Sequence, residues 1–213
     1  KYSIKNLLLL VSVLFISSIY SDSYEYNTYN KYGIVGTIHT PSARTFDEGV
    51  HGVTLYKGTP NQTVTLSASP FNWLEASFFY TNVTDRPYCY EPGDVVCEQD
   101  FKDKGFNIKA RLKEQGVFPA VAIGLNDFAG TGIYSSEYIV GSYGINRTDF
   151  HFGIGFGLLD GSDLRFKNPL GYVSDRFYER STVTKGIGGS FDAAKYFTGK
   201  TASPFFGVSH ALN

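Results

Sequence analysis

The sequence predicts an all-β protein: an antiparallel meander forming a transmembrane β-barrel, with about eight strands present and the barrel incomplete. Three observations predict it. Apolar and polar residues alternate with a period of two along most of the chain after Val50. The composition is rich in Gly (23), Tyr (16) and Phe (18) but only 18% charged, which suits pleated surfaces and tight turns. The connections between the alternating stretches are short on one edge and long on the other.

The clearest stretch is Phe150 to Leu158, where Phe150, Phe152, Ile154, Phe156 and Leu158 face His151 and three Gly. Phe106 to Lys113 sorts Phe106, Ile108, Ala110 and Leu112 from Asn107, Lys109, Arg111 and Lys113. A helical period of 3.6 would scatter these charges around a cylinder. Weaker alternation at 50–57, 61–68, 74–83, 118–127, 136–145 and 203–212 completes the eight. Their lengths approach the roughly 9–11 residues of a tilted membrane strand. A soluble sandwich alternates too, so loop parity carries the choice. Connections at 69–73, 114–117 and 146–148 are short, whereas those at 84–104, 128–135 and 159–202 are long. Outer-membrane barrels have short periplasmic turns and long outer loops. Trp73, Phe71 and Phe118 gather at the short-turn edge, where an aromatic girdle sits in a membrane protein.

The N-terminus reads as an export signal. Lys1 and Lys5 precede an apolar run from Leu7 to Ile16, and Ser17 to Ser23 supplies small polar residues for cleavage. This ten-residue run, apolar except for Ser12, is half the roughly 20 that a spanning helix needs. The organisation expected is a signal peptide at 1–22, a periplasmic extended segment at 23–49, and an outer-membrane barrel truncated at its C-terminus at 50–213. No Cys lies near the cleavage region, so lipid attachment is not expected there. Cys89 and Cys97 flank a Pro-Gly turn and read as a loop disulfide in an oxidising compartment, since no His or Cys nearby completes a metal site.

Outward apolar faces leave a polar lumen that includes Thr63, Thr65, Glu75, Ser77, Asn107, Lys109, Arg111, Lys113, Asn126 and His151. Lys109, Arg111, Lys113, Glu75 and His151 are the candidate lumen contacts. The stripe of three cations reads as a track for an anionic polymer or as a ladder paired with carboxylates such as Glu75. As a track, its replacement by Gln is expected to leave the fold intact. The segment 159–202 reads as a lid or constriction folding into the barrel or as a packed surface loop, with Arg165, Lys167, Arg176 and Arg180 as candidate loop contacts. Net charge of −1 gives nucleic acid no electrostatic support. The four His (39, 51, 151 and 210) have no metal-ligand spacing, no nucleophile motif stands out, and Gly130-Thr131-Gly132 lacks the helix and Lys of a phosphate loop. No cofactor, metal or enzymatic activity is expected.

Several ordered motifs resemble one family. Gly36-Thr37-Ile38-His39-Thr40-Pro41-Ser42-Ala43-Arg44, Ser69-Pro70-Phe71-Asn72-Trp73-Leu74-Glu75 and Gly124-Leu125-Asn126-Asp127-Phe128-Ala129-Gly130-Thr131-Gly132 are similar to YjbH-type proteins, as are Phe101 to Lys109, Tyr134 to Val140 and Phe166 to Leu170. The resemblance covers about 33–210. It implies an outer-membrane β-barrel of a Gram-negative bacterium associated with exopolysaccharide production, in a longer protein. Some members are described as lipoproteins, a feature not carried over to a chain without the lipidated Cys. The partners it implies are outer-membrane lipid, an anionic polysaccharide and periplasmic export or assembly proteins. A general solute porin, and an enzyme inside a barrel acting on polysaccharide or lipid, are the alternatives.

Overall fold

The computed structural model describes residues 27–88, 99–161, 163–180 and 195–212. The expected signal peptide at 1–22 and the expected disulfide Cys89–Cys97 lie outside the described residues.

All eight alternating stretches form strands. In chain order the elements are β1 (Gly36–Thr37), β2 (Thr40–Pro41), β3 (His51–Lys57), β4 (Asn61–Phe71), β5 (Leu74–Tyr88), β6 (Gln99–Lys113), β7 (Ala120–Phe128), β8 (Ser136–Ile145), β9 (Thr148–Gly157), β10 (Phe166–Lys167) and β11 (Thr201–His210). Two 3-10 turns, Pro169–Tyr172 and Asp175–Tyr178, separate β10 from β11. β1 and β2 pair as a small hairpin, and the other nine strands form one antiparallel sheet in the order β10-β11-β9-β8-β7-β6-β5-β4-β3. The long strands follow one another as a meander, as the alternation predicts. β5 and β6 run further than expected, pairing out to Tyr88 and Gln99, so most of the expected 84–104 loop is strand.

The expected closed barrel is not present among the described residues. β3 pairs on one side only, and β11 from Ser203 to His210 pairs only with β9, so the sheet has two open edges. β10 covers just Thr201 and Ala202 of that edge.

The faces sort as the alternation requires. Val53, Leu55, Val64, Leu66, Phe106, Leu112, Ile139, Phe152, Phe206 and Val208 point away from the interior and are exposed, Leu55 by 77% and Phe206 by 64%. Thr65, Ser67, Glu75, Ser77, Thr81, Asn107, Lys109, Asn126, Ser142 and His151 lie on the opposite face and are buried. This is the inverse of a soluble sheet, in which apolar side chains line the covered face. At the short-turn edge Phe71 stacks on Trp73 with centroids 5.6 Å apart, and Lys113 sits 4.7 Å from the Phe118 ring centre. The three aromatics expected at this edge thus stand there. No helix among the described residues is long and apolar enough to cross a membrane.

Candidate functional site

The polar face is buried because the segment 27–46 lies across it. The Tyr29 ring rests on Gly52 of β3, and Ser67 Oγ of β4 donates to the Gly33 carbonyl at 2.6 Å. Ser77 of β5 and Asn107 of β6 both donate to the Tyr32 carbonyl, at 2.6 and 2.8 Å. The Ala43 amide donates to Ser142 of β8 at 2.7 Å, and Thr37 and Thr40 meet Gly207 of β11. Tyr32, Ile34 and Ala43 pack with Ala120, Ala122, Tyr138 and Val140 of β7 and β8, the apolar part of the interior. One segment therefore touches strands from one end of the sheet to the other, and the sheet wraps around it. Gly33 is required where it turns: its φ is +69°, and a Cβ would stand 2.5 Å from Ser67 Oγ and 2.9 Å from Thr65.

At the centre is Lys109. Its ammonium pairs with Glu75 Oε2 at 2.7 Å and donates to the Val35 and Arg44 carbonyls at 3.0 and 2.5 Å. The side chains of Lys109 and Glu75 are 0% and 2% exposed. Glu75 also accepts the Val35 amide at 3.1 Å and the Phe46 amide at 3.2 Å. Every donor of the ammonium is used. The paired-ladder reading holds for this residue. The polymer-track reading does not fit this geometry, because the stripe separates. Arg111 pairs with Glu114 at 2.8 Å, and Lys113 leaves the interior at the short-turn edge.

His151, the remaining lumen candidate, is buried between two serines, with Nδ1 2.8 Å from Ser142 Oγ and Nε2 2.9 Å from Ser209 Oγ. Asp149 Oδ2 lies 4.0 Å from Nδ1. Sequence reasoning missed this Ser-His-Asp set, which comes from β8, β9 and β11. It is not arranged as a triad. Arg44 takes both Asp149 oxygens, at 2.8 and 2.9 Å, and the Arg44 guanidinium also bonds Gln115. Ser142, not a carboxylate, occupies His151 Nδ1, and the segment 27–46 covers the group.

The described part of the segment between β9 and β11 follows the packed-surface-loop reading rather than the inward lid. Register along β8 and β9 is regular, so Glu137 and Phe156 share the outward face with Ile139 and Phe152. Arg180 binds Glu137 through both nitrogens at 2.8 Å and reaches the Ser135 and Thr198 carbonyls. Phe197 packs edge-on to Phe156 at 5.4 Å. Buried Asn168 donates to the Phe177, Phe197 and Gly199 carbonyls, tying the segment into a compact rim. These residues cover the outside of the sheet at the long-loop edge. Leu159 is the part that turns inward, over Gly155. Arg165, Lys167 and Arg176 are exposed on the rim; Lys167 lies 4.6 Å from the Tyr178 ring centre.

The loop that folds inward is 129–135. Tyr134 donates to Asn61 of β4 at 2.6 Å and packs edge-on to Phe79 at 6.4 Å. Between it and the segment 27–46 is a cavity of about 30 Å³, lined by Lys31, Tyr32, Tyr56, Asn61, Phe79 and Asn107 among others. That space suits a water and is too small for a sugar ring.

Comparison with known proteins decides the family. The family model described as "YjbH: Exopolysaccharide biosynthesis protein YbjH" matches residues 28–213. The chain belongs to the YjbH family. The "Uncharacterized lipoprotein YjbH" of Escherichia coli (strain K12) is 33% identical over 210 residues, covering 97% of this chain and 30% of that protein. The chain thus spans about a third of the length of this relative. No solved structure matches.

Proposed function

We propose that this chain is part of a non-enzymatic outer-membrane β-barrel that supports exopolysaccharide production, export or surface assembly. The observation that carries the reading is the inversion of the faces, with apolar side chains outside and a charged, hydrogen-bonded interior. A large apolar side chain left in water forgoes roughly 1.5–3 kcal/mol of burial. A belt of them across the sheet is stable when lipid covers it. In hydrocarbon the backbone groups of β3 and β11 must also be paired, so the two open edges join each other or further strands. The E. coli relative is more than long enough to supply such strands. Its name as a lipoprotein supports an exported, membrane-associated protein, and the family's name supports the polysaccharide connection.

Within this reading the polymer does not run along Lys109. The segment 27–46 fills that space, so polymer contact falls to exposed rim cations such as Arg165, Lys167 and Arg176, or follows release of the segment. Periplasmic assembly proteins would meet the short-turn edge. A general solute porin is the second reading; the filled interior disfavours it. The barrel enzyme has less support still, since His151 and its serines are covered.

Two measurements on the full-length protein test the reading. Loss of exopolysaccharide in a deletion strain, with recovery of the protein in the outer membrane as a band that shifts on boiling, supports it. A soluble periplasmic protein, or unchanged polymer in the deletion strain, contradicts it.

A further inference from the structure

The inward loop 129–135 is held by two carboxylates that are incompletely used. A bulge between β6 and β7 sets Asn126 and Asp127 together opposite Asn107, with Asp127 at φ +53° and its amide bonded to Asn107 Oδ1 at 3.1 Å. Asp127 Oδ2 accepts the Tyr134 amide at 2.9 Å. Across the bulge, Asp103 Oδ1 accepts Thr131 Oγ at 2.7 Å and the Lys104 amide at 2.8 Å. One carboxylate thus holds each side of the same loop.

Apart from the Gly132 amide, which also faces the Asp127 carboxylate, the other oxygen of each has no hydrogen-bond partner among the described residues. Asp103 Oδ2 and Asp127 Oδ1 are buried without a hydrogen bond, in residues 1% and 3% exposed; Asn126 Oδ1 at the same bulge is a third such oxygen. Arg86 and Lys195 attract the pair from a distance, and neither makes an ion pair with it. Two buried carboxylates with no cation in contact are costly unless a proton or a metal ion is shared. Asp127 Oδ1 reaches this position because glycines flank it: a Cβ at Gly105 would stand 2.6 Å from the oxygen. One at Gly130 would collide with the same oxygen and lie 2.8 Å from the Lys104 carbonyl oxygen.

We infer that Asp103 and Asp127 bind a hard divalent cation of the calcium class, which fastens the loop 129–135 over the interior. The donors are all oxygens, carboxylate and carbonyl, with no imidazole or thiolate to favour zinc or copper. Asp103 Oδ2, Asp127 Oδ1 and the Lys104 carbonyl are the ligands this chain offers, and water completes the shell. The inference is independent of the membrane reading, since it concerns only the inside of the sheet at one edge.

The test uses Tb³⁺ as the probe on the folded full-length protein, with emission sensitised by the loop's own Tyr134. Expected are saturable emission displaced by excess Ca²⁺, at least tenfold weaker binding in Asp103→Asn and Asp127→Asn, and unchanged binding in Asp47→Asn on the opposite edge. Hydrogen exchange on the unaltered chain guards against misfolded variants: amides of 129–135 should be more protected in Ca²⁺ than in chelator. Absent saturable emission, equal affinity in both Asn variants, or exchange indifferent to Ca²⁺ would overturn the site; the pair would then be held by a shared proton.

Discussion

Lys109 sits where a soluble protein would place a leucine, and its surroundings account for it. The carboxylate of Glu75 and two carbonyls of the segment 27–46 use all its donors. Removing one partner of a buried pair leaves the other charged and unpaired, at a cost of about 3–5 kcal/mol. Lys109→Gln or Glu75→Gln is therefore expected to lower the melting temperature strongly, whereas Lys113→Gln at the exposed edge is expected to be nearly neutral. Equal effects of the two Lys changes in thermal melts would contradict the pairing. The buried pairing argues against neutralising Lys109 along with the rest of the stripe and keeping the fold intact. The Glu75–Lys109 pair was legible in the sequence because both sit on adjacent strands with facing polar stripes. Arg44–Asp149 was not, because 105 residues separate the partners and neither stands in a repeating pattern. Tyr134, on the loop outside the strands, has its phenol pushed up to about 12, first by burial and then by Asp103. A raised phenol pKa stabilises the fold fully below pH 10, and that contribution is lost as pH rises from there toward 12. The tyrosinate absorbance lost on Tyr134→Phe should accordingly appear about two pH units above ordinary phenols; titration at the ordinary value would show the loop is open.

At the scale of elements, all eight long strands were legible, because a period of two sorts their faces regardless of what covers them. The short-turn edge was legible for the same reason, its apolar and aromatic residues ending at tight turns. What covers the polar face was not. The segment 27–46 has no period; its hold rests on single side chain to backbone bonds, such as Ser77 to Tyr32 and Ser142 to Ala43, that only the folded sheet brings together. Which of two readings the segment after β9 takes, inward lid or packed surface loop, was left open on similar grounds, since Glu137 looks like any strand carboxylate until Arg180 is seen to bind it. Two outcomes follow from these elements. Gly33→Val places a β-branched residue at φ +69° against Thr65 and Ser67, so it should loosen the segment and raise channel conductance in planar bilayers. Conductance unchanged from the native chain would mean the segment is not what fills the interior. Arg180→Ala leaves Glu137 buried without its cation. It should expose the rim residues 163–180 to limited proteolysis while the strands stay resistant; cleavage indistinguishable from the native pattern would show that the rim is held otherwise.

At the largest scale the described residues present an outward apolar face, an interior filled by the segment 27–46, and two open sheet edges. The family connects the chain with exopolysaccharide, and the relative it matches is a much longer protein. Trp73, the sole tryptophan, makes the belt measurable. A chain carrying Trp73→Phe and Phe152→Trp, reconstituted in bilayers with lipid brominated along its acyl chains, reports whether the outward face meets hydrocarbon. A membrane barrel predicts blue-shifted emission strongly quenched by the bromines. Water-like emission untouched by them would place that face in solvent and end the barrel account.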